Sequence, residues 1–254
     1  MLFASVTWYR PEVVDHRQIF AFSGMLETAD DPRSNFDLTL HALSLSGKEG
    51  GQRLCYLPTA VGDSQVAVHA KTNEIGERRP DVDFSVLTLF TQPDVDDIRR
   101  HLLAQDVILV EGGSVANLLA VWAVHGLPSV LKECWEAGVV LAGASAGSLC
   151  WHTGGPTDSF GDRLQPFTNG LGFLPLSNGV HDDFTDQPRR LTYRQLVATG
   201  QIDPGYATED GVGLHYRGTS LSEAVTVRPG SRAWRVDPDD AGGYTEQPII
   251  ARPL

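Results

Sequence analysis

The apolar run Val139-Val-Leu-Ala142 breaks into Gly143-Ala-Ser145-Ala-Gly147, and a helical pattern resumes at Ser148. This stretch constrains the chain more than any other. Four apolar residues predict a buried strand, and the small residues after it predict a sharp strand-to-helix corner. Glycine is required where two backbones approach so closely that no Cβ fits between them. The pattern G-x-S-x-G after a strand and before a helix raises its serine on a tight turn, the arrangement called a nucleophile elbow. Free N–H groups at the start of the following helix would face any anion formed near Ser145.

The segments around the elbow predict its frame. Arg17–Gly24, Arg53–Ala60, Phe84–Phe90 and Asp106–Glu111 are apolar runs of strand length. Helical spacing lies between them over 35–45, 63–72, 93–103, 114–125 and 128–137. Continuously apolar strands alternating with helices predict a parallel sheet covered on both faces. In such sheets ligands sit beyond the carboxyl ends of the strands, where Glu111-Gly-Gly-Ser114 and the Ser145 corner both fall. Residues 154–185 are rich in Gly, Pro, Asp and Asn, and Arg189–Ala198 has helical character. After it, 206–208, 211–217, 223–228 and 231–236 predict short antiparallel strands at one sheet edge. The segment 1–16 is expected to be a surface extension, and the tail from Asp237 onward shows little pattern. The expected organisation is one α/β domain over 1–254.

A net charge of −12 argues against a nucleic-acid or anionic-membrane surface. No apolar run has the length of a membrane span. Met1 to Arg10 lacks a basic region followed by an apolar core, so no secretory signal is expected. Three cysteines without C-x-x-C spacing read as ordinary thiols of a reducing compartment, and a cytoplasmic location is expected.

A serine nucleophile needs a base, an acid that orients the base, and donors for the developing oxyanion. Among eight histidines, His181 stands out. It ends a strand-like run and precedes Asp182 and Asp183. His152 and His215 read as structural. For the acid, the residues alone leave Asp158, Asp162, Asp182 and Asp183 open. The glycine corner at Gly112-Gly113 can supply a second oxyanion donor.

Four segments in order resemble the peptidase E (aspartyl dipeptidase) family of serine peptidases. Glu111-Gly-Gly-Ser-Val-Ala-Asn-Leu-Leu is similar to its G-G-G-N-T-x-x-L-L corner, and Gly143 to Trp151 to its nucleophile motif. Leu171-Gly-Phe-Leu-Pro followed by His181-Asp-Asp is similar to its L-G-L-L-P…P-H-Y-D segment. Asp210-Gly-Val-Gly-Leu is similar to its D-D-G-x-A strand. The resemblance implies a flavodoxin-like α/β fold related to class I glutamine amidotransferases, with helices on both faces of a parallel sheet. It implies Ser145 as nucleophile, His181 as base and Asp158 as acid, with Asp162 and Asp182 as alternates. Gly113 and Ala146 would form the oxyanion hole. Ser114, Arg189 and Arg190 are candidate substrate-binding residues, and no metal or organic cofactor is implied. Ser114 stands where the family has Asn, and Val180 where it has Pro, which points to an altered pocket.

The leading expectation is hydrolysis of short peptides, as by a dipeptidase. A cyanophycinase-like hydrolase of β-aspartyl-arginine polymer and a non-catalytic binding protein on the same scaffold are the alternatives. The expected partner is a short peptide substrate, with neither nucleic acid nor membrane; homo-oligomerisation is left open.

Overall fold

The computed structural model describes residues 15–24 and 35–254. Most of the expected surface extension, residues 1–14, lies outside the described residues. In chain order the elements are β1 (Gln18–Phe22), α1 (Phe36–Ser44), β2 (Arg53–Leu57), α2 (Gln65–Arg78), β3 (Asp83–Val86), α3 (Ile98–Leu103) and β4 (Val107–Val110). Then come α4 (Val115–Val124), α5 (Leu127–Glu136), β5 (Val140–Ala144), α6 (Ala146–Leu149), β6 (Gly155–Thr157), β7 (Gln165–Phe167) and β8 (Ser177–Gly179). The remainder is α7 (Arg189–Ala198), β9 (Gly205–Thr208), β10 (Val212–Arg217), β11 (Ser220–Thr226), β12 (Arg232–Pro238), β13 (Tyr244–Ile250) and β14 (Arg252–Pro253).

The large sheet runs β14-β11-β10-β1-β5-β4-β2-β3. Its five strands from β1 to β3 are mutually parallel, while β10 is antiparallel to β1 and β11 to β10. Alternation along each strand explains the continuous apolar runs. Ile19, Ala21, Ile108, Val110 and Leu141 pack on one side with Leu118, Trp122, Leu131 and Trp135 of α4 and α5. Phe20, Phe22, Val107, Leu109 and Val140 pack on the other with Phe36, Leu38 and Leu43 of α1 and Ile75 of α2. Both faces are covered, so every other residue must be apolar on each side.

The carboxyl-terminal third departs from the expectation of a single sheet edge. Only β10 and β11, with the short β14, extend the large sheet. The strands β13-β12-β9-β8 form a second sheet, against which Tyr193, Leu196 and Val197 of α7 pack on Ala207 and Val236. The stretch 154–185 is not one long loop, since it carries β6, β7 and β8. The tail also contributes strands. Its β13 pairs with β12 from Tyr244 to Ile250 and is mostly exposed, which removes the alternation that would mark it in the sequence. Among the described residues no single helix is long and apolar enough to cross a membrane.

Candidate active site

The corner after β5 is built from backbone contacts that only glycine permits. A Cβ on Gly143 would lie 2.1 Å from the Gly147 carbonyl oxygen, and one on Gly147 would lie 2.4 Å from that of Val110. Between them Ser145 takes φ 50° and ψ −108°, and its N–H donates to the Phe22 carbonyl at 2.9 Å. A non-glycine residue in this region costs on the order of 1–3 kcal/mol, so packing around it must hold it there. The helix that follows is only four residues long. His152 therefore falls beyond it, buried between the Ser148 carbonyl (2.9 Å) and the Tyr216 hydroxyl (3.5 Å), where burial lowers its pKa to about 4.

His181 follows β8 and sits at φ 58°. Its N–H donates to Ser23 Oγ at 3.0 Å, and the next N–H, of Asp182, donates to the Thr208 carbonyl at 2.9 Å. So held, its Nε2 lies 2.9 Å from Ser145 Oγ and its Nδ1 lies 2.5 Å from Asp210 Oδ1. Strands β8 and β9 are parallel neighbours, so His181 and Asp210 emerge from adjacent carboxyl ends. Ser145 and Gly113 emerge from the carboxyl ends of β5 and β4. The seam between the two sheets thus collects all four residues.

The acid expected at His181 was Asp158, and the structure puts Asp210 there instead. Asp158 lies past β6, where its Oδ2 accepts from Arg189 Nη2 at 2.8 Å and from Gln187 Nε2 at 3.3 Å. Neither alternate meets the histidine. Asp162 is exposed in the connection between β6 and β7. Asp182 is enclosed by Arg194 Nη1 and by Arg190 Nη1, the latter at 2.6 Å. Asp210 had appeared in the sequence only as part of a strand-like segment. It is held in a turn with Gly211, whose φ is +77° and whose N–H donates to the Gly24 carbonyl at 2.8 Å.

At the second corner Gly113 has φ 132°, and a Cβ there would lie 2.4 Å from the Ala60 carbonyl oxygen. The Gly112 N–H is engaged by Glu111 Oε1 at 2.9 Å, while Glu111 Oε2 accepts from the Tyr56 hydroxyl. Among the described residues, Gly113 N–H and Ala146 N–H have no protein acceptor. Ser114 caps α4 through its Oγ, which accepts from Asn117 N–H at 3.3 Å. All three cysteines are buried; burial pushes Cys55 and Cys134 each up to about 12, and burial likewise raises the Cys150 thiol well above its ordinary value.

An open cleft of about 450 Å³ runs over Ser145 and His181, lined also by Gly113, Ser114, Asp158, Phe184 and Arg189. The Arg189 side chain is 9% exposed. Burial lowers its pKa, opposed by the charges of Asp158 and Asp210, and a guanidinium remains charged throughout. Among the described residues its Nε has no hydrogen-bond partner. Arg190, the other arginine expected at the cleft, turns away. It pairs with Asp182 and Glu246, each at 2.6 Å, and stacks on Trp234 with its guanidinium 4.5 Å from the ring centre. The reason is helical geometry, since successive residues of α7 point about 100° apart. Among the described residues no group of three or more His, Cys, Asp or Glu is arranged to hold a metal ion.

A serine on a strand–helix corner, hydrogen-bonded to a histidine that is itself oriented by a carboxylate, defines a serine hydrolase type of site. The chain belongs to peptidase family S51, whose family model matches residues 26–224, and it is a serine peptidase. It is 39% identical over 204 residues to the uncharacterised peptidase YgaJ of Bacillus subtilis strain 168, covering 80% of this chain and 85% of that one. The fold is similar to that of a peptidase from an acI-B1 Actinobacterium, with TM-score 0.66, 16% identity, and 92% and 94% of the two chains covered. It is also similar to a Listeria monocytogenes EGD-e protein provisionally named a peptidase E, with TM-score 0.60, 18% identity, and 84% and 99% covered.

Proposed function

We propose that this peptidase hydrolyses short peptides through a triad of Ser145, His181 and Asp210. The observation that carries the reading is the unbroken chain from Ser145 Oγ through the His181 ring to Asp210, with links of 2.9 and 2.5 Å. Ser145 Oγ attacks the scissile carbonyl carbon while its proton passes to His181 Nε2. Asp210 keeps the ring in the tautomer that leaves Nε2 free to accept, and stabilises the imidazolium that forms. Gly113 and Ala146 N–H groups, free of protein acceptors, receive the negative oxygen of the tetrahedral intermediate. His181 then returns its proton to the departing amine, and water repeats the sequence to release the acyl group.

The charges in the cleft support a short peptide as substrate. Its two termini carry opposite charges, and Asp158 and Arg189 face the cleft as an opposed pair. Asp158 accepts from Arg189 Nη2 and offsets its charge, so the guanidinium is not an unpaired counter-charge for an acidic side chain. Asp183 faces Arg228 and the Asp210 backbone, so it does not repel one either. The reading is therefore a dipeptidase-like activity without a strict requirement for amino-terminal aspartate. A panel of Asp-Xaa, Ala-Xaa and Leu-Xaa dipeptides tests it, alongside labelling of Ser145 by a fluorophosphonate. Comparable cleavage across the panel is expected. A strong preference for Asp-Xaa that disappears in Arg189→Ala would overturn the broad specificity, and failure of Ser145 to label would overturn the mechanism.

A further inference from the structure

Among the described residues, the loop bearing His181 meets Asp210 at two hydrogen bonds. The first junction is the His181–Asp210 side-chain bond. The second lies two residues along, where Asp183 Oδ1 accepts the Asp210 backbone N–H at 2.7 Å. The other oxygen, Asp183 Oδ2, accepts from Arg228 Nη1 at 2.6 Å. Arg228 is itself fixed in the turn after β11, where its N–H donates to Thr226 Oγ1 at 3.0 Å. The neighbouring Val227 N–H donates to the Gly211 carbonyl at 3.0 Å.

We infer that Asp183 is a positioning residue for the reaction, setting the direction of the Asp210 carboxylate through its backbone, with Arg228 locking Asp183 in place. This rests on the triad reading above. A carboxylate orients an imidazole only if its own backbone is fixed, because an error of about 1 Å at a reacting group can cost on the order of 100-fold in rate. The hydrogen bond from Asp210 N–H fixes one end of that residue while the His181 ring fixes the other. Asp183 brings a negative charge close to Asp210, and the Arg228 guanidinium offsets it. The arrangement places acceptor, counter-charge and acid on three separate turns, and Asp183 bonds to both others.

The test uses the full chain and the best dipeptide from the panel, with kcat, KM and melting temperature measured for Asp183→Ala, Asp183→Asn, Arg228→Gln and Asp210→Asn. Asp183→Ala is expected to lower kcat about 10- to 100-fold with KM within about 2-fold of wild type. Asp183→Asn keeps a side-chain oxygen for the Asp210 N–H and is expected within about 5-fold of wild-type kcat. The far-downfield proton resonance of the His181–Asp210 bond should shift or broaden in Asp183→Ala and persist in Asp183→Asn. Wild-type kcat in Asp183→Ala, an effect confined to KM, or equal losses in the Ala and Asn variants would each overturn the inference. Should Asp183→Ala fail to fold, Arg228→Gln carries the test, since that side chain is 38% exposed. It is expected to lose about 3- to 10-fold in kcat, and wild-type kcat there would overturn the inference. Wild-type activity in Asp210→Asn would instead overturn the triad reading, so the two failures are distinguishable.

Discussion

Ser145 and His181 meet at 2.9 Å, and both hold a backbone conformation that side-chain-bearing residues avoid, with φ of 50° and 58°. The packing that forces Ser145 into this state is glycine-specific on both sides, at Gly143 and Gly147. Ser145→Ala keeps the strain, whereas Ser145→Gly relieves it. Hydrolysis is expected to fall at least about 10⁴-fold in both variants. Denaturant unfolding should find Ser145→Gly more stable than Ser145→Ala by about 1 kcal/mol. Equal stabilities would show that the corner is not strained, and residual turnover near wild type would remove Ser145 from the reaction.

Asp210 and Asp158 should separate in kinetics. Asp210→Asn preserves shape but favours the wrong imidazole tautomer, and is expected to lower kcat by about 10⁴-fold. Asp158→Asn leaves His181 untouched and changes the cleft wall, so its effect should fall mainly on KM, with kcat within about 10-fold. A collapse of kcat in Asp158→Asn with Asp210→Asn intact would return the acid's role to Asp158.

Gly113→Ala tests the second corner. The added methyl would meet the Ala60 carbonyl at 2.4 Å, so the loop must move and carry its N–H with it. Loss of one oxyanion donor is expected to reduce kcat by about 10²- to 10³-fold. The variant's circular dichroism should match wild type. Wild-type turnover in the folded variant would mean that Gly113 N–H does not face the oxyanion.

The buried ions beside the site predict a stability effect. Asp182 and Arg194 are each 1% exposed, and Arg194 Nε also donates to Glu246 Oε2 at 2.8 Å. Arg194→Met removes the buried cation and leaves Asp182 with the half-exposed Arg190 alone. A loss of about 3–5 kcal/mol is expected. A change below about 1 kcal/mol in urea unfolding would show that Arg190 suffices.

His152 predicts a pH dependence. Its folded pKa of about 4 lies below the usual histidine value, so the unfolded chain takes up a proton first as pH falls. The stability present above about pH 6.5 should decline by up to about 1.4 kcal/mol per pH unit as pH falls toward 4. His152→Asn, whose amide can replace the ring N–H toward Ser148, should have a flatter profile between pH 6.5 and 4. An unchanged slope would assign the dependence to other groups, His215 among them, whose pKa burial also lowers to about 4.

What the sequence reveals of this site depends on how local each signal is. The elbow is contiguous, so its strand, glycines and serine are read together, and α7 was legible over Arg189–Ala198 because one segment holds its whole pattern. The two glycine corners were legible for the same reason. Asp210 was not, because its role depends on β8 and β9 running side by side, a pairing that leaves no mark in either strand's composition. Asp158 is the acid that the family resemblance implies, while the residues alone leave four aspartates open, because a through-space partner leaves no local mark in the sequence. Arg189 and Arg190 could not be separated without the rotation of α7. The second sheet was missed because β13 is an exposed edge of mixed polarity, and β8 is three residues long.

In the proposed mechanism the nucleophile stands on the large sheet, while base and acid stand on the small one. Catalysis therefore reports how the two halves are docked, as a vernier reports the sliding of two scales. A slip of one ångström between them would separate Ser145 from His181 while leaving every helix and strand intact. Heating should accordingly silence turnover at a lower temperature than it melts the helical circular dichroism signal, and coincident midpoints would show that the halves come apart only when the whole chain unfolds.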